Sequence, residues 1–125
     1  MIIGTGIDLA SVRRLGRFRE RRGERGLARL FTPAEIEYCR RAGGDASLAA
    51  RFAAKEAFFK ALGTGLRRGS GRWTDIEVVR APSGEPSLRL HGDAARAAER
   101  RGALHVHVSL SHTGEVAVAV VVLEA

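Results

Sequence analysis

Leu48-Ala49-Ala50-Arg51-Phe52-Ala53-Ala54-Lys55-Glu56-Ala57-Phe58-Phe59-Lys60-Ala61-Leu62, followed by Gly63, is the stretch around which the rest of the chain has to be arranged. Wound at about 100° per residue, it sets Leu48, Phe52, Phe58, Phe59 and Leu62 on a broad apolar arc. Ala50, Ala54, Ala57 and Ala61 form a second arc of small side chains, suited to close packing. Little of this helix is left for water, so it belongs inside a fold, and Gly63 stops it. Arg51, Lys55, Glu56 and Lys60 then lie at the edge of, or inside, mostly buried surface, where unpartnered charge is costly. Lys55 and Lys60 are also the only lysines; the other nineteen basic residues are arginine. Lysine and arginine differ in hydration and geometry, so ammonium groups kept only around Glu56 point to a site with specific demands.

Before this helix, Ile2 to Leu9 alternates, with Ile3, Thr5, Ile7 and Leu9 on one face and Ile2, Gly4, Gly6 and Asp8 on the other. A period of two predicts a strand. Its second face is nearly bare at Gly4 and Gly6, open to close approach by another backbone or a ligand, and Asp8 ends it. Ser11 to Arg29 reads as an arginine-rich helix interrupted near Gly23 and Gly26. Thr32-Pro33-Ala34-Glu35 starts another, with Thr32 as N-cap, Pro33 in the first turn and Glu35 closing a capping box. That helix fails near Gly43-Gly44, and Asp45 or Ser47 caps the central one.

After the central helix, Gly63-Thr64-Gly65 reads as a C-cap rather than a phosphate loop, because it follows a helix instead of opening one. Trp73 to Arg80 and Ser87 to Leu90 read as strands around the turn Pro82-Ser83-Gly84-Glu85-Pro86. Gly92 to Arg101 is a short alanine-rich helix. Leu104 to Ser111 and Glu115 to Leu123 are strands joined at Thr113-Gly114. The order predicts an α+β fold, an antiparallel sheet packed against helices, in a single domain over residues 1–125. The run Val116 to Val122 looks buried on both faces.

A hydrophobic content of 45% in 125 residues supports a real core. No apolar run is long enough to span a membrane, and the N-terminus does not read as a signal peptide. Cys39 is alone, which rules out an internal disulfide and fits a reducing cytoplasm. A net charge of +7 and a pI of about 11.1 imply an acidic partner: nucleic acid, a phosphate-rich ligand, an anionic membrane or an acidic protein. Arg13, Arg14, Arg17, Arg19, Arg21, Arg22, Arg25 and Arg29 crowd the first helix, opposed there only by Glu20 and Glu24. They read either as a solvated face or as a docking surface. A basic nucleic-acid-binding module is the alternative reading of this charge, and the scarcity of aromatic residues, 6%, speaks against it.

Glu56 and Lys60 stand one helical turn apart. They read as an ion pair worth about 0.3–0.5 kcal/mol, or as a site in which a carboxylate ligates a divalent cation and an ammonium meets a phosphate. Magnesium usually takes one or two protein carboxylates, and Asp8 is the best second one. Asp8 also reads as a helix cap, a role open to Ser11 as well. His105, His107, Ser109 and Ser111 share one strand face, and His112 starts a turn with Thr113. Hydroxyls and a histidine at a strand end suit phosphate or sugar; zinc on His105 and His107 has no matching third ligand nearby in sequence.

Several of these stretches resemble the holo-acyl-carrier-protein synthase family, the small bacterial phosphopantetheinyl transferases. They are Gly4-Thr5-Gly6-Ile7-Asp8-Leu9 with Arg14, Phe31-Thr32-Pro33-Ala34-Glu35, Arg51 through Lys60 to Gly65, Asp75-Ile76-Glu77-Val78, Gly84-Glu85-Pro86, and His107-Val108-Ser109-Leu110-Ser111-His112-Thr113. The resemblance runs from end to end. It implies transfer of the 4′-phosphopantetheine arm of coenzyme A to a serine hydroxyl of acyl carrier protein, with release of adenosine 3′,5′-bisphosphate, in fatty acid biosynthesis in the cytoplasm. It implies magnesium on Asp8 and Glu56 and coenzyme A phosphate on Lys60. Further coenzyme A contacts fall on Arg51, the Gly84 to Pro86 turn, His112 and Thr113. Glu85 departs from the basic residue often found in that turn, which leaves the turn its backbone contacts. A carboxylate of the second helix, Glu35 or Glu37, is implied as proton acceptor through a magnesium-bound water. The acidic carrier protein matches the basic helix, at Arg13, Arg14, Arg17 and Arg21. The family also implies a homotrimer with active sites between subunits.

Overall fold

The first and last strands are neighbours. β1 (Ile2–Ser11) pairs antiparallel with β5 (Val116–Glu124), and β5 pairs antiparallel with β4 (His105–His112), giving a three-stranded sheet of order β1-β5-β4. β2 (Ile76–Arg80) and β3 (Pro86–Leu90) form a separate two-stranded antiparallel sheet, with β3 alongside β4. The helices are α1 (Val12–Leu30), α2 (Pro33–Arg41), α3 (Gly44–Leu62) and α4 (Gly92–Arg101). The computed structural model describes residues 1–64 and 69–125, so Gly65 of the Gly63-Thr64-Gly65 stretch lies outside the described residues. The α+β class holds, with the strands divided between two sheets rather than gathered into one.

α3 is the centre of the fold because almost every side of it is apolar or small. It lies against β1 and β5, with Ala53, Ala57, Phe58 and Phe59 buried and facing a core that includes Ala117, Ala119, Val121 and Leu123 of β5. Burying each phenylalanine contributes about 1.5–3 kcal/mol. The glycine-bare face of β1 is bare for a backbone: a methyl at Gly6 would overlap the carbonyl of Ala57, and one at Gly4 that of Ala61. Gly63, at φ 79°, closes α3 as a left-handed C-cap.

Four local readings change. The N-cap of α3 is Gly43, at φ 84° and without a side-chain bond, so neither Asp45 nor Ser47 caps it. Asp45 instead sits in the first turn, where the helix end favours an acid, and pairs with Arg19 at 2.8 Å. α1 bends only at Gly23 (φ 60°, ψ −154°), while Gly26 stays within the helix. Trp73–Asp75 is a 3₁₀ turn, closed by the Arg72 N–H donating to the Asp75 carboxylate at 3.0 Å, so β2 starts at Ile76. β5 is not buried on both faces: Ala117, Ala119, Val121 and Leu123 face the helices, while Val116 and Val120 are exposed. The helices lie on one side of this sheet, and its outer side, with Thr5, Ile7 and Leu9, is open.

Candidate active site

The crossing of β1 over α3 brings Asp8 to Glu56. Gly4 faces Ala61 and Gly6 faces Ala57, so the next inward residue of β1, Asp8, falls beside the turn of α3 that holds Glu56. The helix cap that might have claimed Asp8 is supplied by Ser11, whose Oγ accepts the Arg14 N–H at 3.2 Å. Asp8 and Glu56 are within hydrogen-bonding reach of each other. Lys60 donates to Asp8 Oδ1 at 2.8 Å and to the Ile7 carbonyl at 3.0 Å. The ion pair therefore runs between two elements, Lys60 to Asp8, rather than along α3 from Glu56 to Lys60.

Burial, the Asp8 charge and the hydrogen bond to Asp8 push the Glu56 carboxyl up to about 7, against the opposing pull of Lys60 and Arg14. The hydrogen bond and charge of Asp8 hold Lys60 above its ordinary range. Two neighbouring carboxyls disfavour joint ionisation, and a cation held between them relieves that repulsion. The pair fits magnesium, which commonly uses one or two protein carboxylates and fills its remaining positions with water and phosphate oxygens. Among the described residues, no group of three or more His, Cys, Asp or Glu stands together as a metal cage. His107 instead pairs with Glu124 at 2.9 Å, with the His105 ring 6.4 Å from its own.

A cleft of about 470 Å³ opens beside Glu56, lined by Leu9, Leu15, Phe18, Leu30 and Phe52, with Arg14 on its wall. Sequence reading missed it; Leu15 and Phe18, one turn apart among arginines, were the available signal. A larger cleft, about 630 Å³, lies between α1, α2 and the start of α3 over Cys39. It shares no residue with the carboxylate pair, and its arginines Arg19 and Arg40 are paired with Asp45 and Glu24. The smaller cleft is the one that adjoins chemistry.

Two expected site residues are corrected. Glu35 is sealed in the core and does not face a substrate. Its Oε1 accepts from Lys55 Nζ (2.8 Å) and the Thr32 N–H (3.0 Å), and its Oε2 accepts the Val78 N–H (2.9 Å). Both oxygens are committed, so it is a capping and core residue rather than a proton acceptor for chemistry. Glu37 is exposed and pairs with Arg41 at 3.5 Å. Arg51, 2% exposed, is likewise turned inward. Its Nη1 donates to Ser47 Oγ at 2.8 Å, and its guanidinium lies 4.3 Å from the centre of the Tyr38 ring, so it presents no contact for coenzyme A on this surface.

The two lysines, read together from the sequence, have separate roles. Lys55 is fully buried and donates to Glu35 and to the carbonyls of Trp73 and Ile76. Burial lowers its pKa, with Glu35 pulling the other way. Lys60 alone stands at the carboxylate pair.

The remaining residues lie elsewhere. Gly84 lies in the turn of the β2–β3 hairpin, where the Arg80 guanidinium bonds its carbonyl, and Pro86 opens β3 opposite Arg80. His112 shares its sheet row with Ala117 and Ala10, two strands from β1 and one pair beyond Asp8, roughly 12 Å away by ordinary sheet spacing. The Thr113 hydroxyl accepts the backbone N–H groups of Glu115 and Val116, both at 3.1 Å. Arg13, Arg14, Arg17 and Arg21 are exposed along α1.

The model of the 4′-phosphopantetheinyl transferase superfamily matches residues 4–121. The chain is 50% identical over 125 residues to the holo-[acyl-carrier-protein] synthase of Koribacter versatilis, covering 99% of each. It superposes on the crystal structure of the holo-[acyl-carrier-protein] synthase from Neisseria meningitidis with a TM-score of 0.90, at 34% identity over 100% of both chains. The Helicobacter pylori holo-[acyl-carrier-protein] synthase, crystallised in complex with coenzyme A, matches with a TM-score of 0.84 at 30% identity, over 96% of this chain and 99% of that one.

Proposed function

The chain belongs to the 4′-phosphopantetheinyl transferase superfamily, and from that membership we infer the reaction, the groups that carry it and the assembly in which it runs. The enzyme transfers the 4′-phosphopantetheine arm of coenzyme A to a serine hydroxyl of acyl carrier protein and releases adenosine 3′,5′-bisphosphate. The serine hydroxyl gives up its proton to solvent as its oxygen forms a bond to the phosphorus that carries pantetheine. The bond from that phosphorus to the bridging oxygen breaks, and the electron pair leaves with the nucleotide. One observation carries the assignment of residues: Asp8, Glu56 and Lys60 meet at one point from two elements.

In this reading Asp8 and Glu56 hold magnesium, which when bound supplies positive charge to the diphosphate. Lys60 binds a phosphate oxygen and stabilises the charge that grows on the leaving group. Arg13, Arg14, Arg17 and Arg21, exposed along α1, receive the acidic carrier protein. Gly84, Pro86, His112 and Thr113 contact the nucleotide from a neighbouring copy, which accounts for their separation from the carboxylates within one chain. The outer face of β1 and β5 joins three copies. A cytoplasmic setting suits the lone, reduced Cys39.

Mass spectrometry of an acidic apo-carrier protein incubated with coenzyme A tests the assignment. The parent enzyme adds the arm only with a divalent cation. Asp8→Ala and Glu56→Ala slow the transfer at least ~100-fold while keeping the parent's melting temperature within a few degrees, because loss of a ligand exceeds the effect of loss of its supporting shell. Complete modification by either variant at the parent's rate overturns the reading.

A further inference from the structure

We infer that Lys60 is the cation's placeholder: its ammonium occupies Asp8 in the metal-free enzyme and turns to the diphosphate only after a divalent cation has taken that carboxylate. This rests on the reading of Asp8 and Glu56 as cation ligands. A lysine that served only to meet phosphate would be expected to leave its ammonium in solvent. Lys60 Nζ is instead held by two acceptors, Asp8 Oδ1 at 2.8 Å and the Ile7 carbonyl at 3.0 Å. The Asp8 side chain is 13% exposed, with the ammonium against its Oδ1. Lys60 itself is 55% exposed, in the last turn of α3 before the Gly63 cap. Its stem is free to swing away without disturbing the core.

Charge gives the exchange its direction. Two neighbouring carboxyls are faced here by the ammonium of Lys60. A doubly charged ion on the pair places two more positive charges beside Nζ, and like charges at such distances repel. Released from Asp8, Lys60 keeps only the neutral Ile7 carbonyl, a weaker acceptor than a diphosphate oxygen. Coenzyme A arriving without the cation meets a lysine that is already paired. The cation would therefore raise coenzyme A affinity in two ways, by the positive charge it would supply to the phosphates and by freeing Lys60.

The chain's two lysines make this directly readable. Protein grown with lysine labelled with carbon-13 at Cε gives two signals, and buried Lys55 serves as an internal reference. Titrating the intact metal-free protein with magnesium, without coenzyme A, should move the Lys60 signal while Lys55 stays in place. The endpoint should coincide with the Lys60 position of Asp8→Ala measured without cation, and sodium at equal ionic strength should produce no such shift. The parent titration is decisive; the variant only fixes where a released Lys60 falls. Calorimetry that records Asp8-dependent magnesium binding while the Lys60 signal stays put overturns this inference and leaves the carboxylate reading standing. Magnesium binding found only in the presence of coenzyme A does the same. Asp8-dependent binding in neither condition overturns both.

Discussion

Gly6 sits where β1 rests directly on α3, and the site depends on that contact. Any side chain there meets the Ala57 carbonyl, a backbone atom that cannot step aside without lifting the strand. Overpacking a core costs about 1–3 kcal/mol, and more when the obstacle is backbone. Gly6→Ala should therefore lose about 3 kcal/mol in urea unfolding, and the surviving folded protein should bind magnesium more weakly because Asp8 has moved from Glu56. Glu56 gives a pH signature. Its folded pKa of about 7 lies above its ordinary value of 4.5, so the metal-free fold binds more protons than the unfolded chain between those values. The stabilisation is fully present below about pH 4.5 and is lost as the pH rises through 7. In metal-free protein, the melting temperature of the parent relative to Glu56→Gln should fall across that window. Saturating magnesium should reverse the trend, because it binds the deprotonated carboxylates; a pH-independent difference between parent and variant would contradict a raised Glu56 pKa.

At the scale of elements, α2, α3 and β2 are joined by a buried polar network that explains the other lysine. Glu35 closes the capping box of α2 with Thr32, accepts Lys55 from α3 and accepts the Val78 N–H from β2. The Thr32 hydroxyl donates to Glu77 at 2.8 Å, and Glu77 also meets His91 at 3.1 Å. Removing one partner of a buried pair strands the other, at a cost of about 3–5 kcal/mol, whereas removing both charges is milder. Lys55→Met should thus lower unfolding free energy by about that amount, and adding Glu35→Gln should restore part of it. Additive losses in the double variant would mean that the two groups act separately. The double variant, if folded, should still transfer the phosphopantetheine arm, since neither group reaches the cleft.

Among the described residues, the outer face of the three-stranded sheet is an apolar surface without cover. Ile7 and Leu9 are 58% and 66% exposed, and Val120, the cross-strand partner of Ile7, and Val116 lie beside them on the outer face of the sheet. Contiguous exposed apolar surface of this kind marks an interface. Together with the separation of Gly84, Pro86, His112 and Thr113 from the carboxylates, it supports an assembly in which each site draws on two copies. Ile7→Asp should shift the sedimentation coefficient from that of a trimer to that of a monomer and abolish transfer, while Asp8 and Glu56 still take up magnesium. A parent chain that sediments as a monomer at micromolar concentration would contradict this.

Local chemistry made the elements legible in the sequence. The capping box at Thr32 and Glu35, the stop at Gly63, the alternation from Ile2 to Leu9 and the nearly all-round apolar α3 each depend on residues a few positions apart, and each appears in the fold. The glycine-bare face of β1 also showed that something must come close. Long-range pairing was not legible. That Gly6 receives the Ala57 backbone, that Lys60 turns to Asp8 rather than Glu56, and that Glu35 and Arg51 face inward are consequences of β1 crossing α3 and of α2 closing over it. Sequence spacing can place a charge on a helix, but the direction it faces is decided by which distant element supplies its partner.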